Sequence, residues 1–272
     1  MTERILITGA GGRIGTLLRP RMARPGRVLR LHDLVPLTPG EDEEAVTGDV
    51  TDPAAMAEAA DGADAVVHLA GRSSEGVWDD VLHTNVHGGY VVLEAARRAG
   101  ARRVVLASSN HAVGFHPRSG GAAPDHLFPR PDTFYGVSKA ALESLGSLYA
   151  DRYGMDVVCL RIGYCGPRPL GRHGLGTWLS PGDCARLVEA CLSAPEPGFR
   201  VVWGVSDNTR RWWSLEAARS LGYEPEDDAE VFAADWEGEA PAEDLDPERP
   251  TVGGLFCDPE LDVDRLERRA ED

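Results

Sequence analysis

Lysine is nearly missing from this chain. Of the 28 lysines and arginines in 272 residues, only Lys139 is a lysine. Arginine serves wherever a positive charge will do, so position 139 needs a compact ammonium head with three freely rotating donors. Positive charge is scarce altogether. Against 44 acidic residues the formal net charge is -16, which argues against nucleic acid or an anionic membrane surface as a partner. The five cysteines (Cys159, Cys165, Cys184, Cys191, Cys257) are odd in number and form no Cys-x-x-Cys pair, so neither a disulfide framework nor a zinc site is expected. His83, His87, His111 and His116 lack carboxylates at ligand spacing, and no metal is expected. No apolar run is long enough to span a bilayer and the N-terminus begins a strand at once. A soluble, cytoplasmic protein is the expectation. The acidic runs 41–44, 224–228 and 235–248 read as solvated loops.

What is present is a regular alternation. Near-continuously apolar strands are expected at residues 4–8, 28–32, 46–50, 65–71, 103–107 and 156–161, with helices between them. That pattern predicts an α/β fold with a doubly wound parallel sheet of the Rossmann kind. From about Gly163 the chain turns rich in Gly and Pro, with one helix at 181–193 and one strand at 199–203. The expected division is a dinucleotide-binding domain over 1–162 and a small substrate lobe over 163–272, packed on the sheet's carboxyl edge. His68, in an apolar strand, reads as core, and Trp203, Trp212 and Trp213 as core or subunit contact.

Three local patterns carry chemistry. The first is Gly9-x-x-Gly12-x-x-Gly15 between the first strand and a helix starting near Arg13. Such a turn lets backbone approach a pyrophosphate at the helix N-terminus. The second is Asp33, which ends the second strand where an acidic side chain meets the adenosine ribose hydroxyls. A 2′-phosphate would be repelled there, so NAD is favoured over NADP. The third is Tyr135-x-x-x-Lys139 at the start of a helix, with phenol and ammonium one turn apart on one face. A neighbouring positive charge favours the phenolate and makes a base of the tyrosine.

In this order, the glycine pattern, Asp33, Asp49, the Leu69-Ala70-Gly71 turn, a serine ending strand five and Tyr135-x-x-x-Lys139 resemble the extended short-chain dehydrogenase/reductase family. The resemblance implies that Tyr135 is the base and that Ser109 bonds the reacting oxygen. Lys139 would hold the nicotinamide ribose and depress the tyrosine pKa. It also implies NAD contacts at Gly9, Gly12, Arg13, Ile14, Gly15, Asp33, Asp49, Val50, Leu69, Ala70, Gly71, Asn85, Ser108, Tyr135, Lys139 and Ile162. Residues 108–114, Arg130-Pro131-Asp132, Thr177-Trp178-Leu179-Ser180-Pro181, Val201-Val202-Trp203-Gly204 and Trp212-Trp213 are similar to the uronate dehydrogenases. Those enzymes oxidise the anomeric hydroxyl of a hexuronate with NAD to an aldarolactone. That likeness implies sugar contacts from Ser73, Ser109, Asn110, His111 and Tyr135, with a homo-oligomer as the assembly. The chain departs from the pattern twice. Tyr164 stands where those enzymes carry a serine. His173, with Arg172 beside it, stands where they carry an arginine for the substrate carboxylate. Either Arg172 or His173 is then expected to meet the anion. The alternatives are a nucleotide-sugar epimerase or dehydratase, an NAD-dependent dehydrogenase of another sugar, or a non-catalytic NAD-sensing protein.

Overall fold

The computed structural model describes residues 2–118, 123–236 and 251–258. The apolar runs form β1 (Glu3–Thr8), β2 (Arg27–Asp33), β3 (Glu43–Thr47), β4 (Ala65–His68), β5 (Arg103–Ser109) and β6 (Asp156–Ile162). A two-stranded ribbon, β7 (Tyr164–Cys165) with β8 (Trp178–Leu179), follows, and β9 (Phe199–Gly204) returns to the main sheet. That sheet is wholly parallel in the order β3-β2-β1-β4-β5-β6-β9. The strand order reverses between β1 and β4, and ligands of such sheets bind in the crevice that opens there at the carboxyl ends.

Side chains alternate across the sheet. Ile5, Ile7, Leu31, Val67 and Val105 pack under α1 (Arg13–Met22) and α7 (Pro181–Ser193). Leu6, Val66, Val104 and Leu106 pack under α2 (Pro53–Ala60), α4 (Gly88–Ala99) and α5 (Phe134–Tyr153). Each such side chain contributes about 1.5–3 kcal/mol by leaving water. Both β9 and α7, which come after Gly163, thus complete the layers built by the earlier part of the chain. Trp203 and Trp213 are fully buried and stack at 4.7 Å.

Helix starts follow local chemistry. Thr133 Oγ1 accepts from Gly136 N at 3.0 Å to open α5, and Ser180 Oγ accepts from Asp183 N to open α7, with Pro181 at its first turn. α5 ends at Gly154, whose φ of +65° favours a residue without Cβ.

Two expectations need correction. The third strand lies at Glu43–Thr47 rather than 46–50, and Asp49 sits beyond it, accepting from Thr51 N and Oγ1. The run 41–44 is only partly a loop. Glu43 is gripped by Arg19 and Glu44 by Arg30 and Arg4, because these carboxylates border β2, which carries Arg30. The run 235–248 lies outside the described residues from position 237 on. The helix carrying Asn85 is also not uniform: α3 (Trp78–Val81) passes through a π-helical stretch, Leu82–His87, into α4.

Candidate active site

β5 ends at Ser109 and α5 begins 25 residues later beside it, bringing both ends to one cavity of about 670 Å³. Tyr135, Lys139, Ser108, Ser109, Asn110 and His111 all line it. Lys139 is buried and its Nζ donates to the Ala107 carbonyl at 2.8 Å, 5.5 Å from the centre of the Tyr135 ring. Burial, which penalises the charged form of each, pushes Tyr135 up to about 12 and Lys139 down to about 8. A hydrogen bond from Ser109 works against the rise at Tyr135, and the Asp132 charge adds to it. The expected depression of the tyrosine by Lys139 is therefore not seen, and loss of water dominates the shift. Ser108 turns inward and donates to Glu143 at 2.6 Å. That carboxylate also takes two bonds from Arg161, in a buried pair that fastens α5 to β6. Glu75 accepts from Phe134 N and Tyr135 N at 3.2 and 2.9 Å, setting a negative charge at the helix N-terminus.

The glycine turn forms the other end of the cavity. A Cβ on Gly9 would come within 2.7 Å of the Ala70 backbone, and one on Gly15 within 2.5 Å of the Gly9 carbonyl. The first turn of α1 has no side-chain cap and no acidic residue, and Gly12, Arg13, Ile14 and Gly15 border the cavity. Backbone donors at a helix N-terminus without carboxylates make a cradle for an anion. Asp33 accepts from Gly11 N at 2.9 Å, beside that cradle, while Arg30 is engaged with Glu44. Leu69, Gly71 and Ile162 also line the cavity. Asp33, Asp49, Val50 and Ala70, also expected at the cofactor, are not among the lining residues. Asn85 is buried one layer back, where it ties the Arg72 backbone to Ser138.

On the remaining wall, Ser73, Tyr164 and His173 reach the cavity, whereas Arg172 is exposed on the first turn of α6 (Gly171–Thr177) and is not among the lining residues. His111 Nδ1 is 2.8 Å from Asp132 Oδ2, whose side chain is fully shielded. The shield is made by two glycines. A Cβ on Gly114 or on Gly253 would collide with that carboxylate. Gly253 belongs to a strap, residues 251–257, laid over the site. Val252 N donates to the His116 carbonyl, Asn110 Nδ2 donates to the Val252 carbonyl, and Phe256 stacks on His111 at 4.0 Å.

Residues 5–212 match the NAD dependent epimerase/dehydratase family. The chain belongs to it. Among its relatives, a uronate dehydrogenase of Pseudomonas putida is 42% identical over 94% of this chain and 96% of its own length. An NAD-dependent glucose-6-phosphate dehydrogenase of Haloferax volcanii is 38% identical over 88% of this chain and 98% of its own. Among solved structures, a mutant of the uronate dehydrogenase from Agrobacterium tumefaciens complexed with NAD superposes with a TM-score of 0.88. It is 38% identical, covering 97% of this chain and 99% of that one. NAD is the cofactor of the family, and the uncapped cradle with Asp33 beside it fits that molecule.

Sequence reasoning missed several members of this family site. Asp132 and Thr177 lie inside stretches that signalled the family, so a resemblance was their only mark. Glu75, Glu143 and Arg161 act through partners 18 to 60 residues away, a separation no local spacing reveals. Nothing in the strap's own residues announces it.

Proposed function

We propose that this protein is an NAD-dependent dehydrogenase that oxidises the anomeric hydroxyl of a hexuronate, of glucuronate or galacturonate type, to an aldarolactone. The observation that carries the reading is the convergence of Tyr135, Lys139 and Ser109 with the glycine cradle on one cavity, in a chain 42% identical to a uronate dehydrogenase over 94% of its length. Tyr135 takes the proton from the C1 hydroxyl, and Ser109 donates a hydrogen bond to that same oxygen as charge develops on it. When bound, NAD would accept the hydride from C1. Lys139 presents its ammonium toward the Tyr135 ring and would hold the ribose hydroxyls of the bound dinucleotide. Ser73, Asn110 and His111 meet the ring hydroxyls, since each buried hydroxyl left unpaired costs affinity.

The division into an NAD-binding part, 1–162, and a substrate-binding part, 163–272, belongs to this reading, with Tyr164, His173 and the strap on the substrate side. So does a cytoplasmic homo-oligomer. Exposed Tyr90, Leu148 and Tyr153 on α4 and α5 support association through that face.

The test is NADH formation by purified protein with NAD and, in turn, glucuronate, galacturonate, their neutral parent sugars and glucose 6-phosphate. Turnover with a uronate well above its neutral parent is expected. Absence of turnover with every uronate, while NAD still binds, contradicts the reading.

A further inference from the structure

A hexuronate brings one full negative charge into a pocket otherwise matched to hydroxyls, and a buried carboxylate needs a cation. Five side chains on the cavity wall are basic: Arg13, Arg72, His111, Lys139 and His173. His111 is paired with the shielded Asp132 carboxylate at 2.8 Å. Lys139 donates to the Ala107 carbonyl, and its remaining donors serve the ribose in the proposed function. Arg72 is paired with Asp80 at 2.5 Å, with both side chains about half exposed at the rim. His173 packs on the Trp212 ring at 5.1 Å. Arg13 is exposed as Arg72 is, but differs from the other four in its partner. Its guanidinium lies over the Tyr164 ring, 5.4 Å from the centroid, and bonds to no carboxylate among the described residues.

The direction of that side chain matters. Arg13 opens α1, directly after β1, whereas Tyr164 follows β6, three places along the sheet. The contact therefore joins the β1 end of the cavity to the segment that follows β6. Tyr164 packs against the buried cluster of Leu175, Trp178 and Ala229, so the platform is fixed by the lobe rather than free to swing. A ring face holds a guanidinium by its quadrupole without using any of its N–H donors, which stay available for a planar anion.

We infer that Arg13, held in place by the Tyr164 ring, binds the carboxylate of the sugar acid. This rests on the uronate reading of the same site. It joins the two departures of the sequence into one device. The position expected to hold an arginine carries His173, Arg172 points out of the cavity, and the bulky Tyr164 supports the arginine that arrives from the other side.

The experiment compares kcat/KM on galacturonate and on its uncharged methyl ester, together with the Kd for NAD, in the native enzyme and in Arg13→Leu and Tyr164→Ser. Arg13→Leu keeps the backbone N–H that belongs to the anion cradle and removes only the guanidinium, so it is expected to lose about 100-fold on the uronate, mostly in KM, with the ester and NAD changing less than about 3-fold. Tyr164→Ser is expected to lower the preference for acid over ester by about 5-fold, the worth of a cation–π contact. Equal losses on acid and ester, or a parallel rise in the Kd for NAD, would overturn the inference, the latter by assigning the guanidinium to the dinucleotide's pyrophosphate. Loss of the preference in Arg172→Ala, with Arg13→Leu keeping it, would overturn it too. A native enzyme that turns over no uronate removes the functional reading and this inference together. One that turns over uronate with an unmoved ratio in Arg13→Leu removes this inference alone.

Discussion

Burial holds the Tyr135 phenol near 12 and the Lys139 ammonium near 8, because in each case the charged form loses its water. The two act with opposite sign on the pH profile. The phenolate that accepts the proton becomes more populated as pH rises, so kcat/KM for the sugar should still be climbing between about pH 7 and 9. The Lys139 charge is lost as pH rises through about 8, so the KM for NAD should increase over the same range. Tyr135→Phe should lower kcat by about 100- to 10,000-fold with little change in NAD binding. A sugar profile that levels off below pH 7, or a phenylalanine variant with near-native turnover, contradicts the assignment. This pair was legible in the sequence because a helix brings positions four apart together, and because one lysine among arginines marks a place where charge alone does not suffice. The direction of the tyrosine shift was not. It depends on how much water the fold removes, and spacing carries no record of that.

Between elements, two joints hold the site in shape. The Glu143–Arg161 pair fastens α5 to β6 with side chains only 7% and 3% exposed. Glu143→Ala strands the Arg161 charge in the interior, and a loss of about 3–5 kcal/mol in urea unfolding is expected. A change below about 1 kcal/mol would mean that water reaches the guanidinium. The second joint is the slot between Gly114 and Gly253 that admits Asp132 and so fixes His111 and the strap. Gly253→Ala should displace the strap and raise the KM for the sugar at least 5-fold while the Kd for NAD stays put, since the glycine cradle lies at the other end of the cavity. A parallel change in both constants would contradict that separation. Caps and apolar periodicity made most element bounds readable, α7 and β9 included. The third strand slipped because Glu43 and Glu44 look like loop residues until Arg19 and Arg30 are seen across from them. The π-helical stretch and the strap are defined by contacts distant in sequence.

Across the whole molecule the parallel sheet was readable from the apolar runs alone, since a strand covered on both faces has no polar phase to show. Its core also carries an acid sensitivity. His68 is wholly buried beside Thr8, and desolvation pulls its pKa down to about 3 from 6.5. The unfolded chain binds a proton there that the folded one refuses, so the contribution is complete above about 6.5 and is lost as pH falls toward 3. His68→Asn should flatten the decline of Tm between about pH 6.5 and 4.5. An unchanged slope would place the acid sensitivity elsewhere, with His32 the next buried imidazole to examine. Hydride transfer from C1 of a hexuronate to NAD is tested with galacturonate carrying deuterium at C1. Deuterium is expected on C4 of the released NADH, in equal amount to lactone formed, with a primary isotope effect on turnover. Sugar that keeps or regains its deuterium, with no net NADH, would contradict it and point to an epimerase that returns the hydride.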